Sequence, residues 1–203
     1  MKPVLFNTEM VKAILVGRKT VTRRLIKGIP SDAQMVGTLI DSTIQGDTKN
    51  IGKLWYKVHE PDITMNVYTK FPYEIGDILY VRETWCKNGG AYLYKAGCPH
   101  LQDNMWIKWH TSIHMPKEAA RIFLRVKEVR VERLWDITET QAKAEGVITN
   151  DAVKVSSYRY WFEQLWNSTI DMKNHWMDYS WSANPWVWVI EFERISKEEA
   201  TNG

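Results

Sequence analysis

Apolar residues recur along this chain with two periods, and the switches between them mark its elements. "VLF" near the start reads as a short strand. Met10, Val11, Ile14 and Leu15 then fall at helical spacing. Asn7 or Thr8 caps that helix, and Gly17 ends it as a C′ glycine. "TVTRRLI" is rich in β-branched residues and predicts a strand. "EIGDILYVRETW" turns at Gly76-Asp77, then sets Ile78, Tyr80 and Arg82 on one face and Leu79, Val81 and Glu83 on the other. "AYLYKA" is another strand. "RIFLRVKEVRVERL" alternates, with Ile122, Leu124 and Val126 against Arg125 and Lys127, so it predicts a long half-buried strand. Thr138 with Gln141 forms a capping box, and Gly146 stops the short helix that follows. Tyr158, Trp161, Phe162, Leu165 and Trp166 make one stripe of a second amphipathic helix. "WVWVIEFERI" closes the regular part as a strand.

Between residues 28 and 76 the pattern is broken by "KGIPSD", "GDTKNIG" and "HEPD". Only "KLWYKV" and "MNVYTK" read as short strands there. This predicts a single domain over 1–195 with an irregular insertion at about 28–70. The tail at 196–203, "SKEEATNG", is polar and is expected to fray. Several short strands, two or three short helices and long connections predict an α+β class that is mainly β: a small β-barrel with short helices on its flanks.

Composition narrows the partners. The 203 residues carry 27 Lys and Arg against 24 Asp and Glu, a formal net charge of +3. That permits an anionic partner without requiring one. Eleven Trp and nine Tyr supply core, and also surfaces on which bases stack. Two cysteines, Cys86 and Cys98, are no disulfide framework and fit reduced thiols in a cytoplasm. "MKPVLFNTEM" lacks an apolar leader core, and no apolar run approaches the roughly 18 residues of a membrane span, so a cytoplasmic protein without a membrane is expected. Cys86, Cys98, His100, His110 and His114 are of metal-ligand type, but their spacing matches no common zinc pattern. No metal, cofactor or obligate protein partner is expected.

The stretch "GRKTVTRR", Gly17 to Arg24, packs four cations and two hydroxyls into eight residues. It reads as a solvated turn, as a phosphate patch, or as a place where a lysine and a threonine do chemistry. Its surroundings bear on the choice. The order of N-terminal helix, "GRKTVTRR", "GDILYVRE", "DITETQAKAEG" and "WVWVIEFERI" resembles the ASCH domain family, which has the PUA-like fold. "SIHMPKEAARIFLRV" and "NPWVWVIEF" are similar to ASCH proteins of bacteriophages and prophages. The resemblance implies a PUA-like small barrel and one of two activities. One is RNA or nucleotide binding without catalysis. The other is removal of the acyl group from N4-acetylcytidine by a lysine and a threonine of the basic box and a glutamate after the long strand. Those fall on Lys19, Thr22 and Glu145. The implied partner is a modified nucleoside, or RNA.

Amide hydrolysis needs a nucleophile, a proton carrier and a place for the oxyanion. A threonine hydroxyl needs a neighbouring base. A desolvated lysine either supplies that base or, protonated, stabilises negative charge. Glu145 stands at the C-terminal end of its helix, where the dipole disfavours a carboxylate. One conflict is built into the sequence: on an ideal strand Lys19 and Thr22 point to opposite faces. They share a pocket only if Lys19 is still in the turn or the strand is bulged. Arg24 shares the parity of Thr22 and is expected to clamp substrate, whereas Arg18 and Arg23 are expected to be solvated. Arg82 and Glu83 either line the barrel mouth or form an ion pair. Phe6, Tyr80, Trp85 and Trp109 are candidates for stacking. "WHTSIHMP", with Trp109 and His114, is the expected substrate-side loop.

Overall fold

The computed structural model describes residues 1–30, 32–39, 47–60, 63–98, 100, 107–149, 157–170 and 176–202. In chain order its main elements are β1 (Lys2–Leu5), α1 (Thr8–Leu15), β2 (Val21–Leu25), β3 (Gln34–Thr38), β4 (Leu54–Glu60), β5 (Ile63–Thr69), β6 (Ile78–Arg82), β7 (Trp85–Asn88) and β8 (Ala91–Tyr94). They continue with β9 (Phe123–Arg133), α2 (Glu139–Ala144), α3 (Tyr158–Thr169), α4 (Trp176–Tyr179), β10 (Trp186–Ile195) and α5 (Lys197–Asn202). Residues 31, 46, 61 and 62, in the breaker clusters "KGIPSD", "GDTKNIG" and "HEPD", lie outside the described residues.

One five-stranded sheet, ordered β1-β6-β9-β10-β2, carries the molecule. β1 runs parallel to β6, and every other pairing is antiparallel. The long strands β9 and β10 form its spine, with a register shift between Glu191 and Phe192. Both faces of the sheet are covered. On one, Val4, Leu79, Val81, Leu124, Val126, Ile190 and Phe192 pack with Val11 and Ile14 of α1. On the other, Val21, Val187 and Val189 pack beneath Ala142 of α2 and Phe162 and Trp166 of α3. Each large apolar side chain so buried stabilises the fold by about 1.5–3 kcal/mol.

The class is α+β and mainly β, as the pattern predicted. The sheets are open: among the described residues none closes into a barrel. β1 and β2 are instead the two free edges of the five-stranded sheet, and they approach one another where an Arg24 Nη2 donates to the Leu5 carbonyl. Within the expected irregular insertion the strands read from "KLWYKV" and "MNVYTK" are present as β4 and β5, and an unexpected third strand, β3, joins them. β3, β4 and β5 make a three-stranded sheet, and Leu54, Tyr56 and Val58 point into the main core. Alternation in "LWYKV" was sufficient to build it once that face had a core to meet. The polar tail also departs from expectation. Ser196 and Glu199 cap α5 reciprocally, and Ala200 is buried against Met115 and Phe123. No helix among the described residues is long and apolar enough to cross a membrane.

Candidate functional site

The basic box owes its shape to a helix end. Gly17, at φ +73, turns the chain out of α1, and the amides of Arg18 and Lys19 both donate to Ala13 O, at 2.8 and 3.1 Å. Lys19 therefore still belongs to the turn, and β2 begins only at Val21. This removes the parity conflict: the side chain of Lys19 is aimed by the helix cap and not by the pleat of the strand. Lys19 forms an isolated antiparallel bridge with Glu145, the residue that ends α2, and Thr20 N donates to Ala144 O at 2.9 Å. The approach is close because residue 146 is glycine. A Cβ there would lie 2.8 Å from Ala13 Cβ and 2.9 Å from Lys19 Cβ, at a φ of +85.

Around that bridge sits a buried charge network. Lys19 Nζ donates to Glu145 Oε2 at 2.7 Å, to Glu145 O at 2.9 Å and to Val21 O at 2.8 Å. Arg23 Nη1 donates to the other carboxylate oxygen, Glu145 Oε1, at 3.3 Å. Arg23 Nη2 reaches Glu132 Oε2 at 2.8 Å and Gln141 Oε1 at 3.1 Å. Gln141 is thereby shared between its capping box and this network. Lys19, Arg23 and Glu145 are 3%, 5% and 3% exposed. Burial pushes the Lys19 pKa down; Glu145 opposes that shift, and Arg24 and Arg23 add to it. Arg23 was expected to be solvated and is the opposite. β2 has α2 and α3 on the face it turns Arg23 toward, so the guanidinium is enclosed and must be paired. Arg18 is exposed, as expected, although its Nη1 donates to Gly146 O at 2.5 Å.

Beside the network opens a cavity of about 410 Å³. Lys19, Thr22, Arg24 and Glu145 all line it, with Phe6, and Leu165 and Trp166 of α3 supply apolar wall. Thr22, Arg23, Arg24 and Leu25 are consecutive, yet all four face this one space. That is possible because β2 is an edge strand and the cavity lies along its free side. The register agrees. Ile26 N donates to Trp186 O and Phe192 N to Thr20 O, so even-numbered residues of this stretch bond to β10. Val21, Arg23 and Leu25 consequently turn their main-chain groups to the open edge. The Thr22 hydroxyl, on a residue 5% exposed, has no hydrogen-bond partner among the described residues. The Arg24 guanidinium lies 5.1 Å from the Phe6 ring centre, and Lys19 Nζ lies 5.6 Å from it.

Not every expected residue reaches this place. Arg82 donates to the Met115 and Ile113 carbonyls and so pins the loop after Thr111. Glu83, 1% exposed, is held by Arg121 at 2.9 and 3.0 Å, which makes it a buried ion pair away from the cavity. The two do not pair with one another, and neither lines the 410 Å³ space. His114 is exposed at the end of a short 3-10 turn, Ser112–His114. Trp109 is half-buried near the β7–β8 hairpin, where His110 bridges Trp85. Trp109, His114, Tyr80 and Trp85 therefore stand apart from Lys19, Thr22 and Glu145. Sequence reasoning missed Arg23, Met10 and the α3 wall as parts of the site. The α3 stripe was visible, but nothing in its pattern said that its edge would overhang β2.

Comparison with known proteins adds little to this geometry. No family model matches the chain, and no curated protein matches it. Among solved structures, protein EF3133 from Enterococcus faecalis V583, of family model DUF984, aligns with a TM-score of 0.41 and 12% identity, over 95% of this chain and 71% of that one. At that score the likeness carries no argument about family or activity.

Proposed function

We propose that the chain removes the acyl group from N4-acylated cytosine nucleosides, with Lys19, Thr22 and Glu145 as its catalytic residues. One observation carries the reading. Lys19 and Glu145, 126 positions apart, share a 2.7 Å ion pair, and the unpartnered hydroxyl of Thr22 lines the same cavity. The volume, 410 Å³, falls within the roughly 300–1,000 Å³ of small-molecule sites. The likeness of the motif order to ASCH proteins supports the choice of substrate.

In this mechanism Thr22 Oγ attacks the acyl carbon. Lys19 passes the proton it shares with Glu145 to that carboxylate and takes the threonine proton. The C–N bond breaks as Lys19 passes the threonine proton to N4, which leaves as the free exocyclic amine, and Glu145 returns its proton to Lys19. Water then hydrolyses the threonine ester, which releases the carboxylic acid and restores the hydroxyl. The Arg23 N–H on the open edge of β2 offers a donor to the oxyanion.

A second reading, nucleotide binding without catalysis, is favoured by a specific feature. All three ammonium protons of Lys19 already have acceptors, which is the arrangement of a structural cation. Incubation with N4-acetylcytidine, followed by the loss of its acyl-amide ultraviolet band, separates the two. Wild-type protein is expected to hydrolyse it, and Thr22→Ala and Lys19→Ala are expected to be slower by about 100-fold or more. Binding of the nucleoside without turnover establishes the second reading. Full activity in Thr22→Ala overturns the site assignment.

A further inference from the structure

Charge around the cavity does not balance. Four cations line it: Lys19, Arg23, Arg24 and Lys27. Lys19 and Arg23 are matched by Glu145 and Glu132. Arg24 and Lys27 have no carboxylate within 4.0 Å among the described residues. Arg24 is the telling one, because it is half-buried and its burial pushes its pKa down. A guanidinium carries five N–H donors. Among the described residues only the Leu5 carbonyl takes a bond from this one, and one face of the group rests over Phe6. The remaining donors have no acceptor among the described residues, and no carboxylate there forms an ion pair with this partly desolvated charge. An anion supplies that pair, and the planar fork of arginine suits phosphate. Lys27 adds an exposed point charge at the same space, and Arg24 shares with Thr22 the face of β2 opposite Arg23.

We infer that the cavity takes a phosphate-bearing ligand, a pyrimidine nucleoside monophosphate, with Arg24 binding the phosphate and Lys27 assisting it. The base-binding part of this rests on the reading above; the phosphate part rests on the unmatched charges alone. The chemistry predicts that a bare nucleoside is the poorer ligand.

The test is calorimetric titration of the full chain with cytidine, cytidine 5′-monophosphate and inorganic phosphate, at low and moderate salt. The monophosphate is expected to bind about tenfold or more tightly than cytidine at low salt, with the margin narrowing as salt rises. Arg24→Gln is expected to abolish most of that margin, Lys27→Gln to reduce it, and Arg24→Lys to keep part of it. Circular dichroism checks that each variant is folded; if Arg24→Gln is not, Arg24→Lys and Lys27→Gln carry the comparison. Equal affinity for nucleoside and monophosphate, or a margin untouched in the variants, overturns the inference, as does failure of both to bind. Inorganic phosphate binding as tightly as the monophosphate also overturns it, since the site is then one for free phosphate. The outcome is separable from catalysis. A phosphate preference without turnover leaves the inference standing and ends the hydrolase reading. Equal turnover of acylated nucleoside and nucleotide does the reverse.

Discussion

Glu145→Gln removes the one carboxylate that stands between two buried cations, and its cost can be worked out from the contacts. Arg23 keeps Glu132 at 2.8 Å, so the loss falls on Lys19, whose side chain is 2% exposed and reaches no other acid among the described residues. Deleting one partner of such a pair costs about 3–5 kcal/mol. For a chain of this size that is a drop of about 6–20 °C in melting temperature. Lys19→Met is expected to cost less. Glu145 then keeps Arg23 at 3.3 Å, and what remains is the loss of hydrogen bonds to Val21 O and Glu145 O, about 1–3 kcal/mol. Urea unfolding at pH 7 and pH 9 measures both. The pH arm has a definite sign. Burial already holds the Lys19 pKa below the usual 10.5, and Glu145 opposes that shift, so removing Glu145 lowers it further. Between the lowered folded value and 10.5 the unfolded chain binds more protons, and stability rises with pH. The deficit of Glu145→Gln is therefore expected to shrink from pH 7 to pH 9. A Lys19→Met variant as unstable as Glu145→Gln, or a deficit that grows with pH, would refute the reasoning.

Two further substitutions separate scaffold from site. Gly146→Ala drives a Cβ to within 2.8 Å of Ala13 Cβ and 2.9 Å of Lys19 Cβ, whereas the Cβ of Gly17→Ala meets nothing within 4 Å. Thermal melts are expected to show about 1 kcal/mol lost for Gly17→Ala, the cost of its positive φ, and about 2–4 kcal/mol for Gly146→Ala; equal losses contradict the close approach. Arg121→Met leaves Glu83 buried without its bidentate partner and is expected to cost about 3 kcal/mol in urea unfolding. Ligand affinity at the cavity lined by Lys19 and Arg24 is expected to stay unchanged in that variant, and a large change would place Glu83 in the binding machinery after all.

Much of the local structure was legible because local rules suffice for it. Asn7 caps α1, Thr138 and Gln141 form their box, and Gly17 and Gly146 take the positive φ their positions demanded. The alternation of β9 and the stripe of α3 emerged as read. The strands read from "KLWYKV" and "MNVYTK" are there as β4 and β5. One local signal was present and passed over: Ser196 with Glu199 is the same capping pattern that marked α2. It lost to a general expectation, that a polar tail frays.

The chain by itself determined most of the helices and strands, where glycine is obligatory, and which residues carry a charge or a hydroxyl. It did not determine what each charged side chain faces. Arg23 is paired and enclosed while Arg24, its neighbour, has no carboxylate within 4.0 Å among the described residues, and nothing in "TRR" distinguishes them. Parity put Lys19 and Thr22 on opposite faces, and the turn held by Ala13 O undid it. The physical reason is that the site lies along the free edge of β2, beside the Leu5–Phe6 end of β1 and under α3. An edge becomes a cavity only when distant segments wrap it. Sequence periodicity reports the two faces of a strand. It carries no record of what will stand at the side.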